Sequence, residues 1–481
     1  MINAPVLEIA VVAMGLLILL VEAFAEKIDK RTLAISGIIG LAAVLIATFF
    51  LSPAPAQAAS GFWSFYSADP TAIFFKRFAL VTTILVLIMM IDYAPVVRQS
   101  IHGATHQAGL GEFFALPLFT CAGLMWMASA VEFVMIFVSL EVVTMSFYVL
   151  VAFTRRNPLT LEAGVKYLIL SALSTGFLVY GITWIFGVTG ETNLSRIAAA
   201  LRAGGIDQGP ALFGMALVLV ALGFKIAAVP FQIWVPDVYQ GAPTPVTAYL
   251  SVGSKAAGFV VLLRILEPFF MFPQMQRLLV AVAALTLIYG NLAALPQMNL
   301  KRLLAYSSIA HAGYLLVGVV SLSGAAVGFY LVSYLLMTML SFAVLVAVAS
   351  HTGDRIEDFN GLGKRAPFLS FAMLVSMASL AGIPFTAGFL GKFFIFDAAV
   401  RQHQVTLAVI GVITVACGFY YYLKVVRAMY WETSTSSEAI PLSQLSRVTM
   451  IALIAGIFVL GVYPQPILNA LRPAAAIAAT R

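Results

Sequence analysis

The sequence has 481 residues, of which 62% are hydrophobic and only 10% are charged, and its mean hydropathy is +1.01. Soluble globular proteins carry about 25% charged residues, so this composition indicates an integral membrane protein and leaves no stretch for a soluble catalytic domain. The net charge of +7 fits loop lysines and arginines on the cytoplasmic side of a membrane and argues against nucleic-acid binding.

Fourteen apolar runs are long enough to cross a bilayer, which takes about 20 residues as a helix. The predicted helices, one to fourteen in chain order, span 5–25, 33–52, 72–92, 112–129, 131–151, 163–187, 211–229, 244–264, 277–295, 303–320, 326–349, 369–396, 404–428 and 447–468. Only Ala130 to Glu132 separate helices four and five. A miscount at that turn would invert the topology of every helix after it.

The distribution of basic residues predicts the orientation. Leaving aside three lysines deep in helices, the odd-numbered connections and adjoining helix ends carry fifteen lysines and arginines, and the opposite side carries nine. Because basic residues accumulate on the cytoplasmic side, we predict that the odd loops are cytoplasmic and that both termini are periplasmic. The N-terminus lacks a basic segment and a cleavage site, so we interpret its first apolar run as a retained helix.

Helices seven and twelve each contain a proline within the apolar run, Pro230 and Pro384, and a phenylalanine follows each proline. Interrupted helices at matching places in two halves of a chain are typical of inverted-repeat transporters. We therefore predict, within a single transmembrane domain 1–481, an all-α membrane fold with two inverted five-helix repeats. The repeats are helices four to eight (112–264) and nine to thirteen (277–428), flanked by 1–92 and 447–481. Two independent proline kinks are the alternative.

Four charged residues lie deep inside predicted helices, where a charge costs at least about 2.5 kcal/mol and is a functional candidate by default. Glu141 is central in helix five, Lys225 lies in helix seven, Lys255 in helix eight and Lys392 beside the break of helix twelve. His311 adds a titratable group halfway along helix ten. These residues predict an intramembrane proton relay.

The relay hypothesis rests on opposing effects on a buried lysine. Burial disfavours its charged form and a nearby carboxylate favours it, so moving the carboxylate would move the proton. The structural alternative is a static ion pair between Glu141 and Lys225 that fixes helix packing. That pair alone would leave Lys255 and Lys392 unexplained. Glu132 and Lys166 lie near helix ends, where a long side chain reaches the interface without a special role.

Metal and redox sites have little support in the sequence. Cys121 and Cys417 are nearly 300 positions apart in apolar segments, so neither a disulfide framework nor an iron-sulfur motif is present. His102 and His106, followed by Glu112, have a spacing that could bind a metal, but their glycine-rich surroundings favour a solvated loop. No phosphate-binding glycine motif occurs, which argues against a nucleotide site.

Three segments resemble a known family. They are FGMALVLVALGFKIAAVPFQIWVPDVYQGAPTPVTAYLSVGSKAAGFVVLLR from Phe213, NLKRLLAYSSIAHAGYLLVG from Asn299 and LAGIPFTAGFLGKFFIF from Leu380. They are similar to the antiporter-like, proton-pumping membrane subunits of type I NADH:quinone oxidoreductase, respiratory complex I. Among these subunits the chain is most similar to the subunit N branch, because it ends after helix fourteen and has Lys392 where subunit M is expected to have Glu.

The resemblance implies roles for individual residues. Glu141 would be the helix-five acid that modulates Lys225, Lys255 the relay on helix eight, and Lys392 the exit lysine, with Lys166 a further functional lysine. Gln232 stands just after the helix-seven break, where some relatives are expected to have His. This departure leaves His311 as the main imidazole candidate.

The resemblance also implies a bacterial inner-membrane location and a non-redox role. FMN, iron-sulfur clusters and quinone would belong to partner subunits, and this chain would hold no cofactor. The expected neighbours are the antiporter-like subunit M, the small subunit K and membrane lipid. The alternatives are a cation/proton antiporter subunit of the related Mrp type and a scaffold that only anchors its neighbours.

Overall fold

Apolar helices form almost the whole of the structure, a computed structural model that describes residues 5–25, 29–51, 63–101, 110–349, 351–433 and 440–471. Thirteen helices in these ranges are long and apolar enough to cross a membrane. Helix twelve is not among these thirteen because it consists of two shorter halves, and with it the number of crossings is fourteen. The predicted all-α membrane fold is confirmed.

The membrane helices follow the predicted order, and helices seven and twelve each consist of two halves. Their bounds are Val6–Phe24, Lys30–Ala47, Pro70–Ile101, Leu110–Ser129, Phe133–Val151, Pro158–Thr189, Gln208–Ile226 with Val235–Gly241, Thr244–Leu266, Pro273–Ala294, Leu300–Val320, Gly324–Ala349, Pro367–Ala381 with Ala387–Arg401, Val405–Trp431 and Gln444–Val462. A short helix, Leu194–Ala203, lies between helices six and seven.

Helix boundaries differ from the prediction where polar residues continue a helix beyond its apolar run. Helix six begins at Pro158, five residues earlier than predicted, because Asn157 caps it and proline is well tolerated in the first turn. As predicted, helix four ends before Ala130 and helix five begins after Glu132. The number of crossings, and hence the alternation of sides, stands.

Both broken helices end their first half in a left-handed residue. Ala227 has φ 65° after the first half of helix seven, and Gly382 has φ 91° after the first half of helix twelve. Pro230 and Pro384 follow within three residues, and neither can donate a backbone hydrogen bond. The breaks leave carbonyl groups without helical partners near the membrane centre, where buried side chains can use them.

Helix eight is irregular at a place that the sequence did not indicate. Its first α-helical turns, Thr244–Tyr249, pass into a π-helical turn, Leu250–Ser254, and Lys255 is the first residue after that turn. π-helical turns are rare and frequently occur at functional sites. The turn sets the direction in which Lys255 leaves the helix.

The helices pack in the same order in the two predicted repeats. Helix four packs on five as nine packs on ten, and helix six packs on both halves of seven as eleven packs on both halves of twelve. Because each unit has five helices, the second crosses the membrane in the opposite sense. Helices eight and ten lie at the centre, and every residue in the apolar stretch of helix ten is buried.

The loops of each side are joined to one another. On the even-loop side, backbone bridges join Tyr66 to Ala130 and Glu132 to Asn193. On the odd-loop side, a bridge joins Asn299 to Arg355. His102 and His106 lie outside the described residues.

Candidate functional site

Three lysines and a histidine are buried in the central helices. Lys225 and Lys392 are each 6% exposed, and Lys255 and His311 are each 1% exposed. Salt bridges among the described residues involve none of the three lysines. Each ammonium group is instead bound by neutral oxygen atoms.

Lys225, in the last turn of the first half of helix seven, is bound by two hydroxyl groups. Its Nζ donates to Oγ1 of Thr144 on helix five at 2.6 Å and to Oγ of Ser171 on helix six at 3.1 Å. The rings of Tyr167 and Phe224 lie 5.8 Å and 5.5 Å from Nζ. Lys225 therefore links helices five, six and seven through two hydroxyl groups that lie next to two aromatic rings.

Glu141 lies one helical turn from Thr144 on helix five, and its carboxylate accepts a hydrogen bond from Thr175 of helix six at 2.7 Å. No ion pair joins Glu141 to Lys225, although the structure describes both residues. The static-pair alternative therefore does not match the observed geometry. Polar side chains thus connect helices five and six at two levels. Glu141 and Thr175 form one level, and Thr144 and Ser171, joined through Lys225, form the next.

Lys255 follows the π-helical turn of helix eight and reaches helix ten. Its Nζ donates to the backbone carbonyl and to the hydroxyl of Ser308. The Tyr239 hydroxyl, from the second half of helix seven, lies 3.2 Å from the same Ser308 hydroxyl. The Tyr334 ring lies 5.4 Å from Nζ. Lys255 thus joins helices seven, eight, ten and eleven.

His311 stands one turn after Ser308 on helix ten, and both its ring nitrogens have partners. Nδ1 lies 2.7 Å from the Tyr330 hydroxyl, and Nε2 lies 3.1 Å from the Tyr422 hydroxyl. The Tyr422 hydroxyl also bonds to the hydroxyl of Ser307. An imidazole between two hydroxyl groups can accept a proton on one side and release it on the other.

Lys392 lies in the second half of helix twelve and uses the carbonyl groups that the break sets free. Its Nζ donates to the carbonyls of Leu380 and Ala381, each at 2.8 Å. The Tyr314 ring lies 5.3 Å from Nζ. Tyr314 also lies beside the His311 ring, with centroids 5.9 Å apart.

The five predicted residues form a row, but the row is not a continuous hydrogen-bonded chain. Serine and tyrosine hydroxyls line the interval between Lys255 and His311, whereas no direct hydrogen bond joins Lys225 to Lys255 in the described structure. The arrangement is thus a set of buried titratable side chains, some of them linked through hydroxyl groups and others without a direct hydrogen-bonded link in the described structure.

Lys166 lies apart from this row, in a charged cluster at the odd-loop side. Its Nζ is 2.6 Å from both Glu162 and Asp237, and Arg302 binds the other oxygen of Asp237 at 2.7 Å. Glu162, Asp237 and Arg302 line a cavity of about 190 Å³. The Lys166 side chain is 40% exposed, as expected for a residue near a helix end.

Sequence reasoning missed a buried ion pair in the first three helices. Glu8 and Lys76 are 2.8 Å apart with exposed fractions of 0% and 1%, and the Tyr66 hydroxyl lies 2.5 Å from the Lys76 ammonium. Lys76 is one of the nine basic residues that the sequence assigns to the even-loop side. A lone acid in an apolar run was visible at Glu8, but nothing local indicates a partner 68 positions away.

A second missed pair closes the even-loop end of helix eight. Arg264 lies 2.8 Å from Asp69, which stands just before helix three. Burial of the Asp69 carboxyl disfavours its charge, but the Arg264 charge and several hydrogen bonds outweigh this effect and hold the pKa of Asp69 below its usual value. The pair joins loop two to helix eight.

Within the described ranges, no cluster of His, Cys, Asp and Glu could hold a metal ion.

Comparisons with known proteins agree on one family. Residues 130–418 match the family model described as NADH:quinone oxidoreductase/Mrp antiporter, transmembrane. NADH-quinone oxidoreductase subunit N of Trichlorobacter lovleyi is 40% identical over 480 residues, which cover 97% of this chain and 95% of the relative. The protein of the same name from Moorella thermoacetica is 38% identical over 474 residues, with 96% of each chain covered.

Solved structures share the fold. A chain of Thermus thermophilus respiratory complex I with bound aureothin has a TM-score of 0.80 and 31% identity, with 96% of this chain and 98% of that chain covered. A chain of the Mrp complex from Dietzia sp. DQ12-45-1b has a TM-score of 0.83 with 22% identity, with 98% of this chain and 97% of that chain covered. At that lower identity the likeness concerns the fold alone.

Proposed function

The chain belongs to the NADH:quinone oxidoreductase/Mrp antiporter family of transmembrane subunits, and from this premise we propose that its buried lysine row carries protons across the membrane. The chain is an antiporter-like, proton-translocating membrane subunit of NADH-quinone oxidoreductase, complex I. Electron transfer from NADH to quinone takes place in other subunits of that enzyme.

One observation carries the proposal: Lys225, Lys255 and Lys392 are buried, have no carboxylate partner among the residues that the structure describes, and are bound by hydroxyl or carbonyl oxygens. A permanent buried charge without a counter-ion is costly, so lysines that serve only structure are paired or snorkel to the surface. A lysine that loses its proton becomes a neutral amine and stays hydrogen-bonded. Neutral oxygen partners suit a group that alternates between the two forms.

Each residue has a distinct role in the proposed relay. Glu141 changes the proton affinity of Lys225 through its charge, since the two are not in contact. Lys225 passes the proton to Lys255 over water, and Lys392 releases it. His311 connects the last two lysines through its tyrosine partners, and Lys166 assists proton entry at the odd-loop side.

Neighbouring subunits cover part of the outer surface. Glu141 is half-buried between helices five and six, and Gly176, next to its partner Thr175, is exposed. A partly exposed carboxylate near the bilayer centre requires a polar or protein neighbour rather than lipid. We assign the small subunit K and the antiporter-like subunit M as neighbours, and FMN, iron-sulfur clusters and quinone to partner subunits rather than to this chain.

The chain lies in the bacterial inner membrane with its odd loops in the cytoplasm and both termini in the periplasm. The fifteen-to-nine basic bias and the even number of crossings support this orientation. We divide the chain into helices one to three, the repeats 112–264 and 277–428, and helix fourteen with the C-terminus. The matching packing order of the two five-helix units supports that division.

An Mrp-type cation/proton antiporter remains the second candidate, because the Mrp chain has the same fold. Purification separates the two functions. A complex I subunit purifies together with flavin and iron-sulfur proteins, whereas an antiporter subunit does not. Copurification of only other membrane subunits would favour the antiporter, and normal ion transport after loss of Lys225 would favour a scaffold.

The test of the relay is the substitution Lys225→Ala. We expect assembled complex with turnover and proton pumping reduced at least about tenfold, since positioned proton donors and acceptors contribute about 10²- to 10⁴-fold. Lys364→Ala, at an exposed lysine of an odd loop, is the matched control and retains activity. NADH:quinone turnover is measured in membranes whose complex content is verified on native gels. Fully coupled turnover of Lys225→Ala would refute the role of this residue.

A further inference from the structure

The π-helical turn Leu250–Ser254 determines where Lys255 points. An α-helix advances about 100° per residue, so the wider π turn places Lys255 where an unbroken α-helix would place the preceding residue. In the observed position the ammonium group meets Ser308. If the turn became α-helical, Lys255 would move toward the present place of Ala256.

The place of Ala256 is unfavourable for an ammonium group. Ala256 lines a small apolar gap together with Phe75, Phe78 and Leu124 from helices three and four. A lysine that entered this gap would lose its contact with Ser308 and gain no polar partner there. The chain must therefore hold the π turn in its observed form if Lys255 is to work.

Two hydroxyl contacts join the turn and the residue before it to helices three and eleven. The Tyr249 hydroxyl, just before the turn, lies 2.7 Å from Oγ1 of Thr83 on helix three. The Ser251 hydroxyl, inside the turn, lies 2.7 Å from the Tyr334 hydroxyl on helix eleven. Thr83 also meets the Ala79 carbonyl of its own helix at 2.8 Å, and the Tyr249 hydroxyl lies 3.3 Å from the Pro117 carbonyl of helix four. All of these groups are buried.

We infer that Thr83 and Tyr334 are positioning residues for Lys255, which they orient through Tyr249 and Ser251. Helix three lies outside both predicted repeats, so this inference gives the N-terminal helices a part in proton transfer. The inference rests on the proposed role of Lys255 as a relay residue.

The neighbouring Thr82 provides a matched control. It is the same residue type, is also fully buried, and donates only to the Phe78 carbonyl of its own helix at 2.7 Å. Valine at either position preserves shape and removes one hydroxyl. The two substitutions differ only in whether a contact to helix eight is lost.

The experiment measures NADH:quinone turnover and its solvent deuterium isotope effect in assembled complex carrying Thr83→Val, Thr83→Ser or Thr82→Val. Loss of one buried hydrogen bond changes an equilibrium by about two- to tenfold. We expect Thr83→Val to lower turnover by such a factor and to raise the isotope effect. Thr83→Ser, which keeps the hydroxyl, restores both quantities, and Thr82→Val leaves them unchanged at equal thermal stability.

A second substitution tests the other contact. Ser251→Ala removes the hydroxyl that meets Tyr334 without touching helix three, and it should reproduce the effect of Thr83→Val. Equal turnover and isotope effect in Thr83→Val and Thr82→Val would overturn the inference. If Thr83→Val fails to assemble, Ser251→Ala decides by itself, and normal turnover with a normal isotope effect in that variant overturns the inference.

Lys255→Ala separates this inference from the proposed function. If Lys255→Ala retains pumping, the relay role of Lys255 fails. If Lys255→Ala abolishes pumping while Thr83→Val and Ser251→Ala behave normally, only the positioning role fails.

Discussion

Neutral oxygens around a buried lysine make both of its protonation states tolerable. A carboxylate partner would hold the ammonium form, and an apolar pocket would exclude it. The hydroxyls of Thr144 and Ser171 can instead donate to a neutral amine or accept from an ammonium group. In the proposed relay this balance lets the charge of Glu141, one helical turn from Thr144, decide whether Lys225 is protonated.

The first residue-scale prediction concerns Glu141→Gln, which preserves shape and removes the charge. Loading a proton on Lys225 then becomes less favourable, by about 1.4 kcal/mol for each tenfold loss of affinity. We expect the alkaline limb of the turnover profile, measured from about pH 6 to about pH 9, to move to lower pH. Glu141→Asp, which keeps the charge, has a milder effect.

The control for this substitution is Glu132→Gln, at the start of the same helix, where the carboxylate accepts a hydrogen bond from Thr192. Its pH profile should match that of the parent. An unshifted profile for Glu141→Gln together with poor assembly would mean that Glu141 only supports packing.

The second residue-scale prediction concerns the buried pair Glu8 and Lys76. Removing one partner of a buried ion pair costs about 3 to 5 kcal/mol, because the other charge stays buried and unpaired. We expect Lys76→Met to lower the unfolding temperature of the assembled complex strongly and the double change Glu8→Leu with Lys76→Met to lower it less. A double variant as unstable as the single one would show that the charges do not compensate each other.

At the scale of helices, the two breaks make backbone groups into ligands. Lys392 is held by the last carbonyls of the first half of helix twelve, so its position depends on how closely the two halves approach. Gly388, at the start of the second half, makes that approach possible. A Cβ atom there would lie 1.9 Å from the Ser379 carbonyl oxygen, which is far inside contact distance.

The prediction for this element is that Gly388→Ala displaces the second half of helix twelve. Turnover and assembly should both fall, because a backbone atom rather than a flexible side chain stands in the way. Gly324→Ala, at the first residue of helix eleven, is the control, since nothing lies within 4 Å of its added carbon. Normal assembly and turnover of Gly388→Ala would mean that the halves can separate without cost.

At the scale of the whole molecule, the loops form two connected surfaces. Backbone bridges join loops two, four and six on one side and loops nine and eleven on the other. These connections fix which helix ends share a side of the membrane. Once one loop is assigned to the cytoplasm or the periplasm, the side of every other loop follows.

That assignment is tested by cysteine labelling. Arg196, 64% exposed on the even-loop side, and Arg156, exposed on the odd-loop side, are replaced by cysteine one at a time in a chain with Cys417 removed. We predict that an impermeant reagent labels position 196 from outside intact cells and position 156 only after permeabilisation. Labelling in the reverse pattern would invert the proposed topology.

Features that depend on local chemistry could be predicted from the amino-acid sequence. The length of each apolar run gave the crossings because the bilayer thickness sets the helix length. Pro230 and Pro384 located both breaks because proline cannot continue the hydrogen bonding of a helix. The sequence also identifies the buried lysines Lys225, Lys255 and Lys392 as candidates, because a charge within an apolar run is costly whatever its neighbours in the fold are.

The partners of those residues depend on how the helices pack and could not be predicted from the sequence. Thr144 and Ser171 bind Lys225 from helices 81 and 54 positions away, and Glu8 meets Lys76 across two helices. The π turn before Lys255 also depends on contacts with helices three and eleven. Such contacts arise when helices pack, so a residue's neighbours along the chain carry no information about them.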